Sequence, residues 1–153
     1  MRVLQIQEKY LSQYLECVGD LNSKGVSKAD LNQAKDILYN RPENIVTLIG
    51  IVDERLVATC TLLLEDKLRY NQRSCHIEDV AVVRDSRGKG YGKEILKYAI
   101  EYAKKSEKCY KIMLTCKNHL VQYYSDSGFK TTDNNMVIYV KDNDDNVDND
   151  LCK

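Results

Sequence analysis

Short apolar stretches, each of strand length, recur along the chain between polar residues. Two of them, 46–52 and 56–64, flank the polar triplet 53–55, and this arrangement predicts a β-hairpin. A later run, 77–83, places Ile, Val and Ala around one Glu-Asp pair and predicts a buried strand. Residues 2–6 alternate between apolar and polar side chains, which predicts a further short strand at the beginning of the chain.

Elsewhere the apolar positions follow helical spacing. Residues 10–21 are apolar at positions 11, 14, 15, 18 and 21, which line one face of a helix. A second helix is predicted to begin at Ser27, with Asp30 as its capping-box partner, and to end near Asn40, before Pro42. A third helical face is formed by Ile95, Leu96, Ala99, Ile100 and Ala103. The mixed order of strands and helices indicates a domain that combines both.

A glycine-spaced basic loop, residues 87–92 (Arg-Gly-Lys-Gly-Tyr-Gly), joins the buried strand 77–83 to this third helix. Glycines allow a backbone to wrap closely round an anion, and the first N–H groups of a helix attract negative charge. The spacing fits neither a Walker loop nor a dinucleotide-binding GxGxxG loop. The loop therefore predicts a phosphate site of another kind, and a solvated turn ahead of a helix stays open on these residues alone.

The pattern R-x-x-G-x-G at Arg87, Gly90 and Gly92, with Ile-Glu-Asp upstream, resembles the pyrophosphate loop of the GNAT superfamily of acetyl-CoA-dependent N-acetyltransferases. Residues 109–114 are then the next strand, and residues 121–129 resemble the short helix and YxxxGF end of that fold. The resemblance implies an α/β GNAT fold, in which a mixed and centrally splayed sheet is flanked by helices. It also implies one acetyltransferase domain over residues 1–141.

Within the superfamily, the chain is similar to the glucosamine-6-phosphate N-acetyltransferase family from about residue 56 to about residue 140. Four segments carry this similarity together: HIEDVAV, RGKGYGK, CYKIMLTC and YYSDSGF. The resemblance implies acetyl transfer from acetyl-CoA to the 2-amino group of glucosamine 6-phosphate, by direct attack in a ternary complex, in UDP-N-acetylglucosamine biosynthesis. It places at the acceptor pocket Glu78, Asp79, Tyr110 and Lys111. The implied coenzyme contacts are Val80, Ala81, Val82, Arg87, Gly88, Lys89, Gly90, Tyr91, Gly92, Lys93, Thr115 and Tyr124.

The same resemblance suggests roles for the groups that would carry the chemistry. Tyr124 matches the tyrosine of YxxxGF and is expected to be the general acid, with its neighbour Tyr123 as the rival. Glu78 or Asp79, directly or through a water, is the available base for the ammonium group of an amino sugar. The alternative, that both carboxylates simply end a strand in solvent, stays open. The backbone N–H of Val80 is the expected oxyanion donor.

The acceptor's phosphate calls for cationic side chains, and Lys67, Arg69 and Lys111 are the candidates. Asn22 lies in the early loop that closes the sugar pocket in the family, and it is a candidate contact. The chain departs from the family at Thr115, where an acidic residue is common; threonine can hydrogen-bond there but carries no charge.

Composition restricts the function further. The chain has 153 residues, and its 23 Lys and Arg balance its 23 Asp and Glu, so the broad basic field of a nucleic-acid-binding protein is missing. No apolar run approaches the roughly 18 residues of a membrane span, and the first residues are too polar for a signal peptide, so a cytoplasmic protein is expected. Six cysteines without CxxC spacing and two histidines favour buried free thiols and no metal site.

Beyond Val140 the composition turns acidic, and residues 142–153 are expected to form a disordered tail. The apolar segment 136–140 could complete the sheet of its own subunit or cross to a partner, and the resemblance favours a homodimer. The basic residue that the family carries near this strand falls on Tyr139. Two other functions remain open: a GNAT enzyme acting on a protein N-terminus, a lysine or a polyamine, and a non-catalytic acyl-CoA-binding regulator.

Overall fold

The computed structural model describes residues 1–19, 21, 30–132 and 136. The strands are β1 (Arg2–Gln5), β2 (Ile45–Val52), β3 (Arg55–Lys67), β4 (Gln72–Val82) and β5 (Lys111–Leu114). The helices are α1 (Leu11–Gly19), α2 (Leu31–Asn40), α3 (Tyr91–Lys105) and α4 (Val121–Ser125). Short 3₁₀ turns occupy Glu8–Tyr10, Leu68–Tyr70, Arg84–Ser86 and Asn118–Leu120.

The described strands form one sheet in the order β1-β2-β3-β4-β5. The pairs from β1 to β4 are antiparallel, and β5 joins β4 in parallel, so the sheet is mixed as predicted. The predicted hairpin is the β2–β3 pair. Its turn holds Asp53 and Glu54 with positive φ angles of 47° and 59°, a twist that suits a two-residue connection between antiparallel strands.

Each face of the sheet has its own buried cluster. Leu48, Cys60 and Leu62 pack with α3 residues such as Ile95 and Leu96 on one face. The opposite face packs against α1 and the turn before it, with additional contacts from α2; its buried residues include Tyr10, Leu11, Cys17, Ile49 and Ile51. Two helical layers therefore enclose the sheet, because odd and even strand positions are both apolar.

The beginning of α2 differs from the prediction. Ser27 lies outside the described residues, but Asp30 was expected inside the first turn and instead caps the helix: its backbone is extended, with φ −71° and ψ 129°. Its carboxylate accepts hydrogen bonds from the N–H groups of Asn32 and Gln33, both at 2.9 Å. Aspartate satisfies the unpaired N–H groups of a helix end better from the capping position than from within the turn, which explains the later start.

Three cysteines, at positions 17, 60 and 75, are buried free thiols, as predicted, while Cys109 and Cys116 are free and partly buried. Cys152 and the predicted acidic tail lie outside the described residues. Within the described ranges, no helix combines the length and the apolarity needed to cross a bilayer.

Candidate active site

A β-bulge interrupts β4 in the middle of the sheet. The register with β3 shifts by one residue beyond the Thr61–Glu78 pair, so that Cys60 faces two residues of β4, Asp79 and Val80. Asp79 has a positive φ angle of 50°, which side chains other than glycine rarely adopt. A bulge of this kind bends the strand and redirects the side chains beside it, and it is common next to active sites.

The sheet opens at this bulge. β4 and β5 pair from Ser74 opposite Lys111 to Ile77 opposite Leu114, where β5 ends. Residues 78–82 of β4 continue beyond the last pair. The backbone N–H and C=O groups of residues 78–82 that point toward the β5 side have no partner in β5, because the pairing ends at Ile77 and Leu114. The two strands therefore separate here, as predicted. Val80, the predicted oxyanion donor, lies within this stretch.

Glu78 and Asp79 are both accessible to solvent at the opening. The pKa of Asp79 is raised above its usual value. The main cause is partial burial of the Asp79 carboxyl group, and the second is the neighbouring negative charge of Glu78. Both causes disfavour the ionised form, so Asp79 holds a proton more readily than an isolated aspartate. The pair can therefore attract a cationic group and accept a proton from it.

The loop before α3 adopts the conformation that the sequence predicts. Gly88 and Gly90 have positive φ angles of 76° and 86°, and Gly90 caps the helix. A methyl group added at either glycine would meet nothing within 4 Å, so the space beside this backbone is open. Arg87 Nε donates a 3.1 Å hydrogen bond to the Val82 carbonyl and fastens the loop to the end of β4. An open backbone beside the first N–H groups of a 15-residue helix fits an anionic group such as a diphosphate.

Gly92 has a different structural role from the two glycines before it. It is helical, and a Cβ atom at this position would lie 2.6 Å from the Tyr123 hydroxyl and 3.3 Å from Cγ2 of Val82. The missing side chain therefore allows α4 to approach the first turn of α3. The sequence pattern groups Gly92 with the anion loop, but its contacts indicate close packing of two helices.

The two adjacent tyrosines of α4 have different environments. Tyr124 is only 9% exposed and packs edge-on against Phe129, with ring centroids 6.1 Å apart. Burial, with smaller contributions from Tyr123, Cys116 and Cys60, raises the pKa of Tyr124 to about 12. Its phenol therefore stays protonated throughout the neutral range and can act as a proton donor. Tyr123 is less buried, and its ring meets that of Tyr124 edge-on at 5.1 Å.

Cys60 links the two sides of the opening. It is 0% exposed, it faces the bulge, and it interacts electrostatically with both Asp79 and Tyr124. Burial, then the neighbouring Cys75 and Asp79, raises the pKa of the Cys60 thiol to about 12. The thiol is therefore a neutral filler between the predicted base and the predicted acid.

The cationic residues predicted for the acceptor's phosphate lie toward the end of the sheet away from the Glu78-Asp79 pair. The tyrosine predicted for the acceptor pocket lies there too. These residues are Lys67, Arg69, Tyr110 and Lys111. Lys111 lies opposite Ser74, and at about 3.3 Å per residue the path along β4 from Ser74 to Asp79 covers roughly 16 Å. One chain therefore does not bring these residues to its own Glu78-Asp79 pair.

Of the remaining predicted site residues, one lies at the opening of the sheet and the others lie outside the described residues. Thr115 is exposed directly after β5, at the end of the sheet where β4 and β5 separate. Asn22 and Tyr139 lie outside the described residues. The buried threonines Thr47 and Thr61 were not among the predicted site residues; a polar residue inside an apolar strand is the signal that could have revealed them.

A mixed sheet that opens at a bulge, beside a glycine-containing loop that begins a helix, defines the acyl-CoA N-acyltransferase fold. The chain belongs to the acetyltransferase (GNAT) family, whose model matches residues 5–129. Acetyl-CoA is the donor that this family uses.

Several relatives share more than the fold. The chain is 32% identical over 139 residues to glucosamine 6-phosphate N-acetyltransferase of Candida albicans, covering 84% of this chain and 87% of that one. It is 38% identical to probable glucosamine 6-phosphate N-acetyltransferase 2 of Oryza sativa subsp. japonica, where the match covers 57% of this chain and about half, 52%, of the relative. The crystal structure of an acetyltransferase from Trypanosoma brucei superimposes with a TM-score of 0.81 at 26% identity, covering 91% and 99% of the two chains.

The contact between Gly92 and Tyr123 leads to a stability prediction. Gly92→Ala should destabilise the protein by about 1–3 kcal/mol, because the added methyl group overlaps the Tyr123 hydroxyl. In a Tyr123→Phe background the same substitution should cost clearly less, since the ring carbon Cζ lies at an ordinary 3.7 Å, only the 3.3 Å contact with Cγ2 of Val82 remains, and alanine favours a helix. Urea unfolding of the four proteins in this double-mutant cycle measures the difference. Equal effects of Gly92→Ala in both backgrounds would show that the hydroxyl contact is unimportant.

Proposed function

We propose that this protein transfers the acetyl group of acetyl-CoA to the 2-amino group of glucosamine 6-phosphate, giving N-acetylglucosamine 6-phosphate. The observation that carries the proposal is the Glu78-Asp79 pair at the bulge, where the sheet opens next to a loop suited to a diphosphate. The activity named for the Candida albicans relative, which aligns over most of this chain, supports the same acceptor.

The carboxylate pair would prepare the nucleophile. An amino sugar enters mostly as an ammonium ion, and its positive charge is attracted by Glu78 and Asp79. Because the pKa of Asp79 is raised, its carboxylate is a stronger base than an ordinary aspartate and is the better candidate to take the ammonium proton, directly or through a water. The neutral nitrogen then forms its bond to the acetyl carbon as the carbon–sulfur bond breaks.

The residues of the loop and of β4 would bind the coenzyme, which supplies the activated thioester. The N–H groups of residues 88–93 would face its diphosphate, and the backbone of residues 80–82 would border its pantetheine arm. The N–H of Val80, beyond the last β5 pair, would donate to the acyl carbonyl oxygen, where negative charge develops. Thr115, at the same end of the sheet, would add a polar contact.

Tyr124 would complete the proton balance. Its Oη atom keeps its proton at neutral pH and would give it to the departing thiolate. The second proton that the nitrogen loses as the amide forms would return, directly or through water, to the Tyr124 oxygen and restore the phenol. The amine, the acyl group and the acid would act in one ternary complex without a covalent enzyme intermediate.

The acceptor's phosphate would be held by a second copy of the chain. Lys67, Arg69 and Lys111 lie toward the end of the sheet away from the carboxylate pair, so one subunit does not gather these cations around it. Leu68 at this end has 93% of its surface exposed to solvent. The exposed rings of Tyr70 and Tyr110 lie beside each other there, with centroids 5.6 Å apart. A homodimer that places this end beside the partner's carboxylates would assemble the site from both subunits.

An acceptor comparison tests the proposed function directly. Release of the coenzyme thiol should have a kcat/KM at least about 100-fold higher with glucosamine 6-phosphate than with glucosamine, because lost contacts to a charged phosphate cost about 1.5–3 kcal/mol each. A peptide with a free N-terminus and a polyamine should be equally poor. A preference for one of these amines would contradict the proposal and favour that acceptor class. Tight acetyl-CoA binding without thiol release for any amine would instead indicate a regulator.

The role of Tyr124 gives a second prediction. Tyr124→Phe should lower kcat about 100-fold, because the thiolate loses its proton donor, and should leave the dissociation constant for acetyl-CoA unchanged. Tyr98→Phe, an exposed tyrosine of α3, is the matched control and should retain full activity. If Tyr123→Phe lost activity while Tyr124→Phe did not, the acid would be the neighbouring tyrosine.

The shared site gives a third prediction, tested by complementation. Asp79→Asn and Lys111→Ala should each reduce activity by about 100-fold. When the two variants are denatured and refolded together, random pairing makes half of the dimers mixed, and each mixed dimer holds one intact site. Activity should therefore return to about a quarter of the wild-type value. No recovery would mean that both residues serve one subunit, or that the chain is monomeric.

Loss of stability does not explain the expected effect of Asp79→Asn. The pKa of Asp79 is raised in the folded state, so its ionised form opposes folding at every pH above the value of the unfolded chain. Asparagine removes that charge and also tolerates a positive φ angle. The variant should be at least as stable as the wild type at pH 7 in thermal unfolding.

A further inference from the structure

The hydroxyl group of Tyr123 reaches the corner between the end of β4 and the beginning of α3. Its oxygen lies 2.6 Å from the place where a Cβ atom of Gly92 would stand, and Cγ2 of Val82 lies 3.3 Å from the same place. Val82 is the last residue of β4, and Gly92 is the second residue of α3. The phenol therefore occupies the space that the glycine leaves empty, next to the loop that joins β4 to α3.

This space lies on the side of Gly92 that faces the beginning of α3. In an α-helix every Cα–Cβ bond is inclined toward the N-terminus, so a group on the Cβ side of Gly92 is displaced toward Gly90, which caps the helix. Among the described residues, no side chain caps α3. Its first helical hydrogen bond runs from the Glu94 N–H to the Gly90 carbonyl, at 3.1 Å. The N–H groups of residues 91–93 are therefore available to a ligand beside the Tyr123 hydroxyl.

The Tyr123 hydroxyl has no hydrogen-bond partner within the described part of the chain. Its ring packs against the core on the α3 face of the sheet, and a tyrosine in such a position usually has a partner for its polar end. Every fully buried side-chain nitrogen or oxygen atom of the described residues is paired. The unpaired Tyr123 oxygen is therefore accessible from outside the core. An accessible donor beside free N–H groups points to a ligand that accepts hydrogen bonds.

The two adjacent tyrosines of α4 contact different parts of the molecule. The planes of the Tyr123 and Tyr124 rings are inclined by 87° to each other. The Tyr124 ring meets Phe129, which follows α4 in the chain, whereas the Tyr123 hydroxyl meets the Gly92 and Val82 corner. The two phenols therefore suit two roles, one at the proposed acid position and the other at the loop before α3.

We propose that Tyr123 is a coenzyme-binding residue, whose hydroxyl donates a hydrogen bond to a diphosphate oxygen of acetyl-CoA beside the N–H groups of residues 91–93. The inference rests on the proposed function in one respect, that the loop before α3 binds the diphosphate; the identity of the acceptor does not enter. A phenol donates to an anionic oxygen without adding a charge, and hydrogen bonds to charged groups are the stronger ones. The packed ring fixes the hydroxyl in place before the coenzyme arrives.

Tyr123→Phe tests the proposal, because it removes the hydroxyl and keeps the packed ring. The dissociation constant for CoA, measured by isothermal titration calorimetry, should rise about tenfold, since a hydrogen bond to a charged group is lost. The dissociation constant for pantetheine, which lacks the diphosphate, should be the same in the variant and the wild type when measured by NMR titration. CoA should also raise the melting temperature of the variant by less than that of the wild type.

The matched control is Tyr98→Phe, at an exposed tyrosine further along α3, which should bind CoA as tightly as the wild type. A purely structural role of the Tyr123 hydroxyl would lower the melting temperature of the ligand-free protein and leave the CoA constant unchanged. That result would overturn the proposal. An equal loss of affinity for CoA and for pantetheine would overturn it as well, because the diphosphate would then not be the group that the hydroxyl binds.

Steady-state kinetics provide a second readout. Tyr123→Phe should raise the KM for acetyl-CoA about tenfold and leave kcat at saturating coenzyme within about twofold of the wild-type value. A large fall in kcat with an unchanged KM would make Tyr123 the proton donor and would overturn the proposal.

The binding measurement separates this inference from the proposed acceptor, because it needs no amine. Weaker CoA binding by Tyr123→Phe, with pantetheine binding unchanged, would support the inference even if glucosamine 6-phosphate were not acetylated. An unchanged CoA constant would overturn it even if glucosamine 6-phosphate were the best acceptor. A wild-type protein that does not bind CoA would overturn the inference and the proposed function together.

Discussion

One extra residue in β4, opposite Cys60, determines the arrangement of the site. The bulge turns the end of β4 away from the regular ladder, and β5 stops pairing at Leu114, so the sheet opens there. It also leaves Asp79 in a left-handed conformation that costs about 1–2 kcal/mol. The sheet tolerates this cost because buried residues on both sides of the bulge, such as Ile77 and Ala81, fix the strand in place. The local strain is thus supported by an otherwise regular core.

The parts of the fold that sequence predicts well are those with a local cause. The β2–β3 hairpin follows from two apolar runs and a polar turn, and the loop before α3 follows from glycines at 88 and 90 that adopt positive φ angles. The capping role of Asp30 was missed because Ser27 offers an equally plausible start, and only the three-dimensional path of the chain decides between them. Gly92 fits the loop pattern in sequence, but its contact with Tyr123 depends on residues far away in the chain.

The candidate site was predicted less completely because its members are distributed over both ends and both faces of the sheet. Residue type makes Lys111 a candidate phosphate ligand, but the pairing with Ser74 places it at the end away from Asp79. Nothing in the sequence specifies that separation, since it depends on how β5 aligns with β4. The threonines at positions 47 and 61 are ordinary strand formers by propensity, and their hydrogen bonds become evident only when β2 and β3 are side by side.

The burial of Cys60 has a consequence for the durability of such an enzyme. A thiol beside the proposed acyl site would be a natural target for acyl exchange, which would leave the protein modified at its own centre. Exchange requires the thiolate, and a thiol pKa of about 12 keeps that form scarce at physiological pH. The side chain also has no exposed surface from which to attack. The core therefore protects this thiol from acylation and from common oxidants, while the sulfur fills space between Asp79 and Tyr124, the proposed base and the proposed acid.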